Sequence, residues 1–275
     1  MTDLPAPPPP WPEAPGEEDR GFVFAVSGAA YVALAVQAAR SVRGTHPGIP
    51  IDIYTSDLVP EGVFDRVHPL ETDWFRPKFE ALARSRFART LYLDADLVVL
   101  ADISDVFWLL NRFDIAVAQV QHANQDFARR VWRQAMPHAF PQVNSGVLGL
   151  RASDATRAFM RQVHDALHAS GLNQDQPILR EMLWSTDLRL AILPPEYNLR
   201  ADERVWKSSW RDPAPRVLHS SRFHKAMTGT DAPSPEAVFG RNFMRMARNL
   251  IGGDRQLTAE ADRPSGRIAR FFGRL

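Results

Sequence analysis

The stretch that most constrains the fold is Thr90 to Asp96, Thr-Leu-Tyr-Leu-Asp-Ala-Asp, an apolar run that ends in two carboxylates with no turn residue between. Thr, Tyr and Leu in succession fit a buried strand. The acids then fall at its carboxyl end, the edge where open α/β sheets bind ligands and where paired carboxylates can hold a divalent cation. Leu97 to Leu100 returns to apolar residues, and no other Asp-x-Asp occurs in the chain. In isolation such a pair is more often an ordinary solvated loop than a site, so the surrounding pattern has to decide.

That pattern alternates. Strands are expected at Phe22 to Val26, Ile51 to Thr55, near Val67 and at Thr90 to Asp94, with helices up to about Val42 and over Lys78 to Phe87. This rhythm indicates a mostly parallel sheet with helices on its faces. Further on, Ile103 to Leu110 reads as a short helix, Asp114 to Val120 as a strand, and Gln121 to Met136 as a mixed stretch with helical character. Val143 to Leu150 reads as a strand containing Asn144-Ser145-Gly146, followed by a helix from Asp154, as cap, to His168. Then come a helix over Gln174 to Trp184, strands at Leu188 to Leu193 and Arg216 to His219, and a helix over Pro233 to Leu250 with Pro235 in its first turn. The chain divides into a Pro-rich leader (1–20), an α/β domain (21–232) and a helical, arginine-rich tail (233–275).

Composition excludes several classes. The formal charge of +1 gives no global argument for a nucleic-acid partner, and the absence of cysteine removes disulfides and thiolate metal sites. Phe22 to Ala39 carries no charge, but its Ala, Ser27, Gly28 and Gln37 make it too weakly apolar for a membrane span. The acidic, Pro-rich N-terminus lacks the basic patch and apolar core of a signal peptide, so a cytoplasmic location is expected.

Asp94, Asp96, His219 and Lys225 form the first candidate constellation. Carboxylate oxygens suit Mg²⁺ or Mn²⁺, and Mn²⁺ also accepts an imidazole. Such a site fits a nucleotide diphosphate, with a lysine contacting a phosphate oxygen. Singly, His219 reads as a hydrogen-bonded histidine at a strand end and Lys225 as a surface lysine.

Several stretches, in order over about residues 21 to 226, resemble retaining glycosyltransferases of the GT-A fold, specifically glycosyltransferase family 8, which includes glycogenin and lipopolysaccharide galactosyl- and glucosyltransferases. They are the first β-run with Tyr31, Lys78, Leu91 to Asp96, Asn144-Ser145-Gly146-Val147, Asp175-Gln176, Leu193-Pro194 with Tyr197-Asn198, and His219 with Lys225 six positions later. The resemblance implies a GT-A, Rossmann-like fold and transfer of a hexose (glucose or galactose) from a UDP-sugar to a hydroxyl acceptor, a glycan or glycolipid. It implies Mn²⁺ or Mg²⁺ on Asp94, Asp96 and His219, and donor contacts from Tyr31, Lys78, Ala95, Asn144 and Lys225. Asp175 and Gln176 would lie nearest the reacting carbon. The chain departs from that family at Arg222, where glycine is usual, at Ala226-Met227, where Pro-Trp is usual, and at Gly28-Ala29-Ala30, before the nucleobase aromatic.

Other readings compete. A GT-A domain that binds nucleotide sugar without turnover has the same motifs. Asp94-Ala95-Asp96-Leu97-Val98 also satisfies the aspartyl phosphatase pattern, although that motif generally opens its fold and needs a later acidic pair, where Gly253-Asp254 offers only one acid. His164 and His168 have zinc-helix spacing but fall away from the apolar face of their helix. Beyond residue 240, eight arginines face three acids, with Ile268, Phe271, Phe272 and Leu275 at helical spacing. That stretch suits either peripheral contact with an anionic membrane at its inner face or a helix docked on the core.

Overall fold

The computed structural model describes residues 19–257, except 73, 75, 201, 202 and 210. The leader up to residue 18 and the tail from residue 258, with Ile268, Phe271, Phe272 and Leu275, lie outside the described residues. The first half runs β1 (Arg20–Ala25), α1 (Ala29–Thr45), β2 (Ile51–Tyr54), β3 (Arg66–His68), α2 (Lys78–Arg84), β4 (Arg89–Leu93), β5 (Leu97–Val99), α3 (Asp105–Leu109) and β6 (Ile115–Gln119). Then follow α4 (Asp126–Arg129), β7 (Val143–Arg151), α5 (Asp154–Ser170), α6 (Gln176–Trp184), β8 (Leu190–Leu193), α7 (Glu203–Lys207), β9 (Val217–His219), α8 (Arg222–Lys225), α9 (Pro235–Phe239) and α10 (Arg241–Gly253).

Seven strands form one sheet in the order β3-β2-β1-β4-β7-β6-β8. Only β7 runs against its neighbours, pairing antiparallel with both β4 and β6, while the other pairings are parallel. The sheet is therefore mostly parallel, as the alternating pattern implies. Period-two side-chain alternation divides the core between its faces. Phe22, Phe24, Leu91 and Leu93 pack with α1 and α10 on one side, and Val23, Tyr92 and Leu148 with α2, α5 and α6 on the other.

Two features place the functional edge. β6 and β7 lose register at Val117/Ala118, where Ala118 pairs with Asn144 but Val117 with Leu148, so Ser145 to Val147 bulge away from β6. A bulge of this kind re-aims side chains beside a site. Separately, β5 and β9 pair antiparallel as a small ribbon with Leu97 opposite His219, and Ser220 N–H donates to the Asp96 carbonyl at 3.0 Å. This ribbon carries a residue more than a hundred positions downstream to the carboxylate pair.

Local differences from the sequence expectations have local causes. Ser153, not Asp154, caps α5, because its side chain accepts from Thr156 N–H while Thr156 Oγ1 accepts from Ser153 N–H, a reciprocal capping box. The helix expected over Pro233 to Leu250 is two helices, since Gly240 adopts φ 90°, which only glycine tolerates without strain. Pro235 does occupy the first turn of α9, behind Ser234 as cap. Within Gln121 to Met136 only Asp126–Arg129 is helical, and the helix from Lys78 ends at Arg84. α10 buries Phe243, Met244 and Ala247 in the core. Among the described residues no helix is long and apolar enough to cross a membrane.

Candidate active site

The carboxyl ends of β1 and β4, the bulge of β7 and the start of α6 surround a cleft of about 610 Å³. Its wall includes Tyr31, Lys78, Asp94, Ala95, Asp96, Asn144, Asp175, Gln176 and His219, so nine of the ten residues singled out from the sequence converge on one space. The tenth, Lys225, is exposed at the last residue of α8 and does not line the cleft.

At the centre, one ligand atom each from Asp94, Asp96 and His219 lie within 4.8 Å of one another. His219 Nε2 is 3.1 Å from Asp96 Oδ1 and 3.8 Å from Asp94 Oδ2. The tautomer of His219 follows from a chain of hydrogen bonds. Gly146 N–H donates to Asn144 Oδ1, which fixes that atom as the oxygen. Asn198 must therefore present its Nδ2 to Asn144 Oδ1, at 3.1 Å. Its Oδ1 is left to accept from His219 Nδ1, at 2.8 Å. A proton then resides on Nδ1, and Nε2, which faces the two carboxylates, is an acceptor because the Arg200 guanidinium lies 2.9 Å from it. Three electron-rich atoms converge here without a shared proton, and their mutual repulsion is offset at the rim by the Arg200 guanidinium on Nε2 and the Lys78 ammonium on Asp94. The donor set of two carboxylates and one imidazole suits a Mn²⁺-type ion, and the partner on the second ring nitrogen is what orients a metal-binding histidine.

Gly146 makes this approach possible. A Cβ there would lie 2.2 Å from His219 Cε1 and 2.5 Å from Nδ1, well inside van der Waals contact. The carbonyl of the same glycine accepts from Asp94 N–H at 2.8 Å, so one residue positions two of the three prospective ligands.

Deeper in the cleft, Lys78 Nζ lies 3.0 Å from Asp94 Oδ1 and 3.5 Å from Asp175 Oδ2, and donates to Ser145 Oγ at 2.8 Å. Ser145 in turn donates to Asp175 Oδ2, and Tyr92 OH donates to Asp94 Oδ1 at 3.0 Å. Burial opposes charge on Asp175, but the Lys78 ammonium and the Ser145 hydroxyl hold its carboxyl below the usual range. Burial likewise opposes the Lys78 cation, and Asp175 and Asp94 outweigh it, raising that pKa. Asp175 thus remains an anion at neutral pH. Burial and the nearby Asp94 charge push the Tyr92 phenol well up, so it stays a donor.

At the outer end Tyr31, in the first turn of α1, is 48% exposed, and its ring centroid lies 4.9 Å from that of His224. His224 Nε2 is 3.3 Å from Asp96 Oδ2. His224, Arg200 and Asn198 have no part in the sequence assignments. Asn198 stands in the quoted Tyr197-Asn198 pair, where its amide was the available signal, whereas nothing local to Arg200 or His224 marks either.

The rival motifs resolve elsewhere. Asp254 Oδ2 accepts from Ala214 N–H at 2.7 Å beyond the end of α10 and does not line the cleft. His164 and His168 pack against the Trp74 ring, at 5.5 and 5.3 Å. Among the described residues, the Asp94, Asp96 and His219 group is the one cluster of three side chains arranged to hold a metal.

The profile of the nucleotide-diphospho-sugar transferases matches residues 43–228. The chain belongs to that family. Residues 43–228 of this nucleotide-diphospho-sugar transferase include both carboxylates, the β7 bulge, the Asp175-Gln176 pair and His219. No curated protein matches the chain. Among solved structures, the galactosyltransferase LgtC in complex with donor and acceptor sugar analogs superposes with a TM-score of 0.55 at 16% identity, covering 87% of this chain and 96% of that one. The apo form of the glycosyltransferase GlyE of Streptococcus pneumoniae TIGR4 gives 0.56 at 19% identity, over 83% of this chain and 60% of that one. At such identities the likeness establishes the fold, which is GT-A.

Proposed function

We propose that this transferase moves a hexose, glucose or galactose, from a UDP-sugar to a hydroxyl on a glycan or glycolipid acceptor, with retention and with Mn²⁺ or Mg²⁺, as in glycosyltransferase family 8. The observation that carries the reading is the His219 lone pair, aimed by Asn198 at Asp94 and Asp96 within a cleft that also holds Tyr31 and Asp175. Asp94, Asp96 and His219 would hold the metal, which when bound supplies charge neutralisation to the diphosphate leaving group.

Tyr31 offers an exposed ring face for the base, and Lys78 fixes Asp94 and Asp175 relative to one another. Asp175, anionic and already tied through Oδ2 to Ser145 and Lys78, is a weak proton acceptor and suits positioning of sugar hydroxyls through its other oxygen. Gln176 is an amide and a poor nucleophile. Attack on the same face follows: the acceptor oxygen bonds to the anomeric carbon as the carbon–phosphate oxygen bond breaks, and the departing phosphate oxygen takes the acceptor proton.

The test incubates the protein with UDP-glucose or UDP-galactose and follows UDP release. The proposal expects release that requires Mn²⁺ or Mg²⁺ and disappears in Asp96→Ala. Donor binding without release in any metal would return the non-catalytic reading.

A further inference from the structure

The cation expected at the diphosphate, Lys225, stands outside the cleft, and of the two arginines that line it, Arg76 and Arg200, it is Arg200 that reaches the prospective metal ligands. The backbone there is pinned. Leu199 N–H donates to Val217 O at 2.8 Å, Leu199 O accepts from His219 N–H at 3.0 Å, and Arg200 N–H donates to Gln121 Oε1 at 3.1 Å. From this fixed base Arg200 Nη1 reaches within 2.9 Å of His219 Nε2.

A guanidinium only donates, so Nε2 accepts. This agrees with the Gly146, Asn144 and Asn198 chain, which places a ring proton on Nδ1 on independent grounds. The Nε2 lone pair is therefore what Arg200 holds, and, with Nδ1 committed to Asn198, it is also the means by which His219 would bind a metal. One lone pair cannot serve both.

We propose that Arg200 is an exchange residue: it holds His219 Nε2 until a divalent cation takes that lone pair, and the released guanidinium then closes on the donor diphosphate. The inference rests on the metal-dependent reading above and adds to it a residue and an order of events, metal before donor. Like charge drives the guanidinium away from an incoming cation. Its planar fork matches paired phosphate oxygens in a way a lysine ammonium does not. The structure thereby accounts for a cleft in which Lys225 takes no part.

The experiment measures two affinities on the full chain, wild type against Arg200→Gln. Free Mn²⁺ is titrated by electron paramagnetic resonance without nucleotide, and UDP by calorimetry at saturating Mn²⁺. The variant should bind Mn²⁺ alone several-fold more tightly, because its competitor is gone, and UDP about tenfold more weakly, the equivalent of one lost charge-assisted contact. Arg200→Lys, which keeps charge and stem, should shift both affinities in the same directions by smaller factors, and it serves if the glutamine variant melts early. A wild type that binds Mn²⁺ and UDP beside variants whose two affinities do not move in opposite directions overturns the role of Arg200 alone. A wild type that binds neither overturns the metal-dependent reading and this inference with it.

Discussion

Gly146→Ala places one methyl group at the tightest point of the site. The added Cβ would sit 2.2 Å from His219 Cε1, whereas carbon atoms rest at about 3.5–4.0 Å. Something must move by more than about 1 Å. The backbone of Gly146 cannot easily yield, because β7 is hydrogen-bonded to β4 in the middle of the sheet and the Gly146 carbonyl holds Asp94 N–H. The displacement therefore falls on the imidazole, which is buried and tied to Asn198. Metal ligands tolerate only about 0.2 Å of error, so the shift removes His219 from the prospective coordination sphere. Overpacking of this kind costs about 1–3 kcal/mol of stability, and Mn²⁺ affinity should fall at least about 10–100-fold, the loss usual when even a supporting residue is removed. Mn²⁺ titration, with thermal melting to confirm that the variant is folded, provides the assay. A folded Gly146→Ala variant that binds Mn²⁺ within twofold of wild type would refute the reasoning.

Other outcomes follow from the same geometry. Asn198→Ala should weaken Mn²⁺ binding by about 10–100-fold, by freeing the His219 tautomer and ring, with the folded state intact by circular dichroism; an unchanged affinity would show that the amide has no orienting role. Asp175→Asn leaves the buried Lys78 with Asp94 as its remaining carboxylate, so stability at pH 7 should fall by about 3 kcal/mol, near the lower bound for breaking a buried pair. Because the folded-state pKa of Asp175 is depressed, its contribution is complete above the unfolded value of about 3.9 and is lost as pH falls through the folded one. Wild-type Tm should accordingly drop below about pH 4 more steeply than that of Asp175→Asn, and parallel acid limbs would contradict this.

Much of the fold was legible because it rests on local signals. The apolar runs at Ile51 and Thr90, and the Ala-rich helix after Gly28, carry period and length together, so their order specifies a parallel sheet. What escaped depends on register and on tertiary neighbours. Nothing near Leu97 announces that it pairs with His219, yet that pairing brings the metal ligands together. Gly146 reads as one glycine in a strand until the ring that needs its empty space is known. Lys225 and His224 differ by one position on α8, and about 100° of helical rotation turns His224 toward Asp96 and Lys225 to solvent. Arg222, which replaces the resembled family's glycine, lays its guanidinium 4.8 Å from the Phe239 ring and so ties α8 to α9.

The central claim is that Asp94, Asp96 and His219 hold one divalent cation against a nucleotide diphosphate. Anomalous scattering from crystals of the full chain grown with Mn²⁺ and UDP tests it most directly. The account predicts a single strong peak about 2–2.5 Å from one oxygen of each carboxylate and from His219 Nε2, with the diphosphate on its open side and the base near Tyr31. A nucleotide bound in the cleft with no peak among those three atoms would contradict it.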